Sequence, residues 1–214
     1  MLIFEIIRNE QVTEKDIEEA LLLDYSSYDE YYHLETSRCF GFVRKNNYVY
    51  SMIKADGHVI AYINISPIND EAYERLRGGE SDNFLCYDYL VPMEDNAVLN
   101  IYISSIVVSK KYRGQGLAKI LINDAKEKYL KLLEERNITA KRVLGDAVSN
   151  GGEQILTDLH LDFLRETSRK SKVFEKTFDN KNEYEIFLKS LGEKYGKKIW
   201  YFYQLCYPRS RYRF

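Results

Sequence analysis

The sequence predicts an α/β (α+β) fold, a twisted mixed sheet flanked by helices with a parallel strand pair at its centre. Two stretches carry that expectation. Ala55-Asp56-Gly57 lies between the β-rich runs Tyr48 to Lys54 and His58 to Ile65, and Asp-Gly in such a setting marks an antiparallel hairpin. Further on, an Ile- and Val-rich run from Ala97 to Ser109, a long amphipathic stretch and a second apolar run from Lys141 to Val148 read as strand, helix, strand. That unit folds as a right-handed parallel crossover.

The remaining elements follow in order. A first strand is expected near Leu2 to Ile7. Thr13 opens a helix in which Ile17, Ala20, Leu21 and Tyr25 recur at helical spacing, with Asp16 completing a capping-box pattern. Between Pro67 and Pro92 the sequence is polar and irregular, apart from a short helical piece near Glu71 to Leu76. Its turn-like Gly78-Gly79-Glu80-Ser81-Asp82 is where substrate loops are expected. Ala97 to Ser109 is apolar on both faces, as in a central strand covered on two sides. From Leu117 the residues Ile120, Leu121, Ala125, Tyr129, Leu132 and Leu133 keep the helical period, and Asn137 is the expected stop. Asn150 opens another helix to about Leu161, followed by strands at Phe163 to Thr167 and Lys172 to Phe178. Past Asp179 the pattern restarts, with a helix over Lys181 to Tyr195 and an aromatic strand over Lys198 to Cys206. The expected organisation is a main domain over residues 1–178 and a C-terminal helix-strand extension over 179–214. Trp200, Tyr201, Phe202 and Tyr203 suit that extension either to folding over the core or to a homodimer interface.

Composition narrows the function classes. Hydrophobic residues make up 45% and charged residues 30% of the 214 positions, the mix of a globular protein. With 31 basic and 33 acidic residues the formal charge is −2, so no overall field draws the chain to nucleic acid. The basic cluster Arg209, Arg211 and Arg213 reads as a solvated tail. Cys39, Cys86 and Cys206 are far apart and lack the paired spacing of a zinc site, so no metal is expected and the thiols read as free, in a reducing compartment. Met1 to Ile7 shows neither a basic lead nor a cleavage site, and no apolar run approaches the ~18 residues of a membrane span. A cytoplasmic location without membrane contact is expected.

The chemistry is concentrated in Ser105-Ile106-Val107-Val108-Ser109-Lys110-Lys111-Tyr112-Arg113-Gly114-Gln115-Gly116-Leu117-Ala118, which runs from the buried strand through a tight turn into the long helix. This is an anion cradle. Gly114 and Gly116 permit backbone angles closed to other residues and put no side chain between amide groups and ligand. The helix that starts there offers unpaired N–H groups and a positive dipole end, and Arg113 adds a charge. A P-loop would end in Gly-Lys-Ser or Gly-Lys-Thr, where this chain has Gly116-Leu117-Ala118. A dinucleotide fingerprint wants a small residue where Lys119 stands.

What remains, Arg-x-x-Gly-x-Ala, resembles the acetyl-CoA signature of the GNAT superfamily of N-acetyltransferases. Leu161-Asp162-Phe163 stands where that family usually has Leu-Gly-Phe, and the resemblance spans about Ile3 to Phe178. It implies a mostly antiparallel sheet whose central parallel strands splay around the pantetheine arm of acetyl-CoA, here against Ile106, Val107 and Val108. The pyrophosphate would rest on the amides of Arg113, Gly114, Gln115, Gly116, Leu117 and Ala118, and Asn150 would cap the following helix and touch the arm. The Val107 amide is the expected donor to the thioester carbonyl. A primary amine of a small molecule or peptide would attack directly, its proton taken by a carboxylate. Glu80, Asp82, Asp88 and Tyr102 are the candidates. The position where the family often has a proton-donating tyrosine falls on Asp158, with His160 two residues later, so a dedicated acid is not indicated. The competing expectation is a catalytically silent acetyl-CoA-binding module serving as a sensor or assembly partner.

Overall fold

The computed structural model describes residues 4–46 and 48–191. Strands β1 (Phe4–Arg8), β2 (Tyr50–Ala55), β3 (His58–Ile68), β4 (Val98–Val108), β5 (Thr139–Ala147), β6 (Asp162–Glu166) and β7 (Lys172–Thr177) form one sheet in the order β1-β2-β3-β4-β5-β7-β6. All neighbours are antiparallel except β4 and β5. Helices α1 (Glu14–Tyr25), α2 (Thr36–Lys45) and α3 (Asp70–Arg77) cover one face, and α4 (Leu117–Arg136), α5 (Asn150–Asp158) and α6 (Lys181–Ser190) the other. The period of two along each strand feeds both cores: Ile6, Ile53 and Phe174 pack on the α4 side, Ile7, Met52 and Val173 on the α1 side.

Local chemistry explains the connections. Asp56 (φ 50°) and Gly57 (φ 84°) both take left-handed angles, as the two-residue turn between β2 and β3 requires. Thr13 caps α1: its hydroxyl accepts the Asp16 amide, and the Asp16 carboxylate accepts the Thr13 amide at 3.0 Å. Asn137 ends α4 in the left-handed conformation at φ 51°, which lets the chain reverse into β5.

One element departs from the sequence expectation. Helix α2, anchored by Cys39 and Phe42, lies in a stretch where the sequence led us to expect no element. Helix α6 packs on the main domain, one of the two arrangements expected of the extension. Its Tyr184, Phe187 and Leu188 are buried in the same core as α4, with Phe178 and Phe187 at 5.0 Å between ring centroids. The strand expected over Lys198 to Cys206, the aromatic cluster at Trp200 and the basic cluster at Arg209 lie outside the described residues.

The sheet opens at its middle. β4 pairs with β5 from Val98↔Thr139 to Ile103↔Gly145; beyond that β4 stays with β3 as far as Ala61↔Val108, and β5 stays with β7 as far as Ala147↔Lys172. Ser104 sits at a bulge, an extra residue between Asn64↔Ser105 and Ile65↔Ile103. A bulge bends its strand and raises the local twist, which turns the end of β4 away from β5. On the β5 side Gly145 allows close packing, since a Cβ there would stand 2.6 Å from Leu156 Cδ2, and Leu156 is the buried anchor of α5. Gly145→Ala is therefore expected to destabilise the fold by about 1–3 kcal/mol. In a Leu156→Ala background the added cost of Gly145→Ala should shrink, because the clashing atoms are gone. Urea unfolding of the two single variants and the double variant measures this, and a Gly145→Ala variant as stable as the parent would disprove the close approach.

Candidate active site

The turn between β4 and α4 presents a row of main-chain donors. Gly114 (φ 77°) and Gly116 (φ 83°) adopt left-handed angles, and a Cβ added to either would meet no atom within 4 Å. The glycines therefore serve the backbone path and leave open space above it. Gly116 is the N-cap of α4 and brings no capping side chain. Among the described residues, no protein acceptor takes the amides of Gly114, Gln115, Gly116, Leu117 or Ala118. Unpaired donors at the positive end of a 20-residue helix, beside glycines without side chains, suit a diphosphate.

The opening between β4 and β5 continues from this turn. The Ser109 amide donates to the Ile60 carbonyl at 2.8 Å, which fixes the phase of the β3–β4 ladder. By alternation Val107 and Ser105 exchange their bonds with β3, opposite Tyr62 and Asn64, while Ile106 and Val108 turn their main-chain groups toward the gap. Val107 is thus not the free donor expected from the sequence; that place belongs to Ile106 and Val108. The Val108 carbonyl accepts Arg113 Nε at 3.1 Å, so the Arg113 side chain folds back over the strand end.

Cradle and gap are two walls of one cavity of about 1270 Å³. Its remaining wall is acidic and aromatic. Asp24 on α1, Asp82 in the loop after α3 and Asp146 on β5 all line it, with Tyr28, Tyr62 and Tyr102. Asp24 is 8% exposed, and its Oδ1 has no hydrogen-bond partner. Burial pushes its carboxyl up to about 7, a hydrogen bond from Tyr62 opposes the shift, and the charge of Asp82 adds to it. Burial, then the charge of Asp146, lifts Asp82 to about 6, against a bond from the Tyr102 hydroxyl to its Oδ2 at 3.3 Å. Asp146 is also raised by burial; Ser171 donates to its Oδ2 at 3.0 Å, and its Oδ1 is unpartnered. Nearby, Asn64 is buried and held by the hydroxyls of Ser66 and Ser104, each at 2.9 Å.

The residues singled out in the sequence fall into two groups. Asp82, Tyr102, Ile106, Val107, Val108, Arg113 through Ala118 and Asn150 all line the cavity. Glu80, Asp88 and Asp158 do not. Glu80 is exposed and accepts Arg75 Nε at 2.8 Å, Asp88 is exposed, and Asp158 at the end of α5 accepts Gln154 Nε2 at 3.0 Å. Asn150 is the first residue of α5 rather than its cap. Ser149 is the cap, accepting the Gly152 amide at 3.1 Å. Of the tyrosines before α2, Tyr28 and Tyr32 reach the cavity, whereas Tyr25 bonds the Leu34 carbonyl at 2.7 Å. Asp24 and Asp146 were missed. Asp24 nevertheless follows Ile17, Ala20 and Leu21 on the buried stripe of α1, a carboxylate where the helical period calls for a hydrophobe.

The chain is similar to the loading GNATL domain of CurA from Lyngbya majuscula, with TM-score 0.55 and 8% identity over 81% of this chain and 97% of that one. It is similar to Naa50 of Arabidopsis thaliana, solved with the bisubstrate analogue CoA-Ac-MVNAL, with TM-score 0.53 and 11% identity over 82% and 99%. Ard1 from Thermoplasma volcanium gives 0.52 and 13% over 83% and 99%. A comparison with curated proteins finds no match. The profile of the Acetyltransferase (GNAT) family matches residues 10–145, and the chain belongs to that family.

The acidic wall makes a prediction about stability. A carboxyl raised by folding binds its proton more tightly in the native than in the unfolded chain. Its contribution is full below the unfolded value of 3.8 and is lost as pH rises through about 7. Asp24→Asn removes that loss. The variant should melt higher than the ligand-free parent at pH 8, by about 2–4 °C per kcal/mol relieved, with the gap closing toward pH 5. Melting curves across this range test it, and a variant that melts lower at pH 8 would mean that the carboxylate is paired.

Proposed function

We propose that this protein is an acetyl-CoA-dependent N-acetyltransferase that acetylates a primary amine by direct attack with both substrates bound. The observation that carries the reading is the row of unpartnered amides from Gly114 to Ala118, which opens into the gap beyond Ile103 and Gly145. The diphosphate of the coenzyme would lie on those amides. Ile106, Val108 and Asn150 would hold the arm, with an Ile106 or Val108 amide donating to the thioester carbonyl. That Naa50 was solved with a CoA-peptide analogue supports coenzyme binding at this fold.

When bound, acetyl-CoA supplies the acetyl thioester: the amine nitrogen bonds to its carbonyl carbon, the carbon–sulfur bond breaks, and the sulfur leaves as the thiol. The protein's own work is to hold and move protons. The acceptor arrives as an ammonium ion, and Asp24, poised at about 7, takes the first proton. The second ends on the sulfur, whose thiol, with pKa about 8.5, is a competent leaving group. The Tyr102 hydroxyl positions Asp82 beside this path.

Acetyl-CoA at about 100 times its Kd should stabilise the protein by roughly 2.7 kcal/mol and should release thiol in the presence of amines. Gly116→Glu places a charge and a strained left-handed residue in the cradle. It should remain folded at a cost of about 1–2 kcal/mol and lose acetyl-CoA binding by about 100-fold or more, followed by calorimetry. Parent protein that gives neither a thermal shift nor binding heat would end this reading. Binding without thiol release across an amine panel would instead mark a silent coenzyme-binding module.

A further inference from the structure

The acidic wall is richer than a single-proton transfer needs. Three carboxylates from three separate elements line one cavity wall, and two of them, Asp24 and Asp146, each keep an oxygen with no partner. The charge of Asp82 acts on Asp24 and that of Asp146 on Asp82, so the three share one acidic patch. A buried carboxylate oxygen without a donor is costly unless a ligand supplies one. Arg38 attracts Asp82 through space, Arg113 is engaged with Val108, and among the described residues neither forms an ion pair with an aspartate of the wall. The rest of this end is aromatic: Tyr62 and Tyr102 are each 2% exposed, and Tyr28 is half-buried.

We infer that the acceptor is a small alkyl diamine or polyamine, bound with one nitrogen at Asp24 and a second cationic centre at Asp146, with Asp82 bridging them. This rests on the reading of the protein as an acetyltransferase. Each ammonium supplies donors to an orphaned oxygen, and the intervening methylenes lie against tyrosine faces, which also attract cations. A peptide N-terminus brings a single charge and leaves one aspartate unmatched. The reaction is the one described above: one terminal nitrogen gains the acetyl group and loses two protons, one to carboxylate and one to sulfur, while the distal ammonium is unchanged.

The test compares 1,4-diaminobutane with butylamine, and with a short peptide bearing a free N-terminus, in a thiol-release assay of the full chain. The diamine should exceed butylamine in kcat/KM by about 10- to 100-fold, the worth of one charge-assisted hydrogen bond. Asp146→Asn should bring the diamine-to-monoamine ratio toward one, whereas Asp24→Asn, which meets the reacting nitrogen of both amines, should slow both and leave the ratio near that of the parent. Calorimetry with acetyl-CoA runs beside it. If acetyl-CoA binds and butylamine or the peptide reacts as well as the diamine, the diamine inference fails and the acetyltransferase reading stands. If acetyl-CoA does not bind, the acetyltransferase reading fails. If acetyl-CoA binds but no amine reacts, diamine binding to the CoA complex is titrated directly, and absence of binding overturns the inference.

Discussion

The structure turns on the parting of β4 from β5 after Ile103 and Gly145. A sheet interior normally satisfies every main-chain group through its neighbours, and an unsatisfied ladder in the middle of a domain is costly. Here the break is built in from both sides. Ser104 adds a residue that bends β4, while β7 holds β5 along its other edge as far as Ala147. The gap leaves Ile106 and Val108 with main-chain groups facing open space, next to a helix start whose amides are equally unclaimed. Apart from the Val108 carbonyl, which accepts Arg113 Nε, no protein hydrogen bond among the described residues fills this line, so a ligand with matching groups gains most of its hydrogen bonds without first breaking any.

The acidic wall applies the same logic with side chains. Burial acts against the charged forms of Asp24, Asp82 and Asp146, and a neighbouring carboxylate makes Asp24 and Asp82 harder still to ionise. The fold tolerates this because the aspartates sit on well-anchored elements. Asp24 shares the stripe of Ile17 and Leu21, and Asp146 is one residue beyond the tightly packed Gly145. Destabilised groups of this kind gather where function needs them.

How much of this could be read from sequence depended on how local the encoding was. The hairpin at Asp56-Gly57, the Thr13 cap and the glycine turn from Gly114 to Gly116 are each set by a few consecutive residues with fixed backbone demands, and all were legible, although the Arg113 amide, expected among the free donors, is taken by the Lys110 carbonyl. The parallel pair was legible as well, since apolar runs on either side of a 20-residue helix leave few other topologies. The acid cluster was not, because Asp24, Asp82 and Asp146 meet only through the tertiary fold; Asp82 stood out from its glycine-rich loop and the other two did not. The Val107 assignment failed for a subtler reason. Which residues of a strand face a gap depends on ladder phase, and that phase is set by one bond, Ser109 to Ile60, which the sequence does not display. Glu80 and Asp158 looked available in sequence only because Arg75 and Gln154 are their partners in the fold.

Cradle and acid wall belong to one cavity but have opposite electrostatic character. Main-chain amides and a helix start make one end favourable to anions, and three aspartates make the other hostile to them. On the proposed function, a polyanionic coenzyme with a neutral thioester tip would lie in one direction, because reversing it would press phosphates against carboxylates. Cations are drawn the other way.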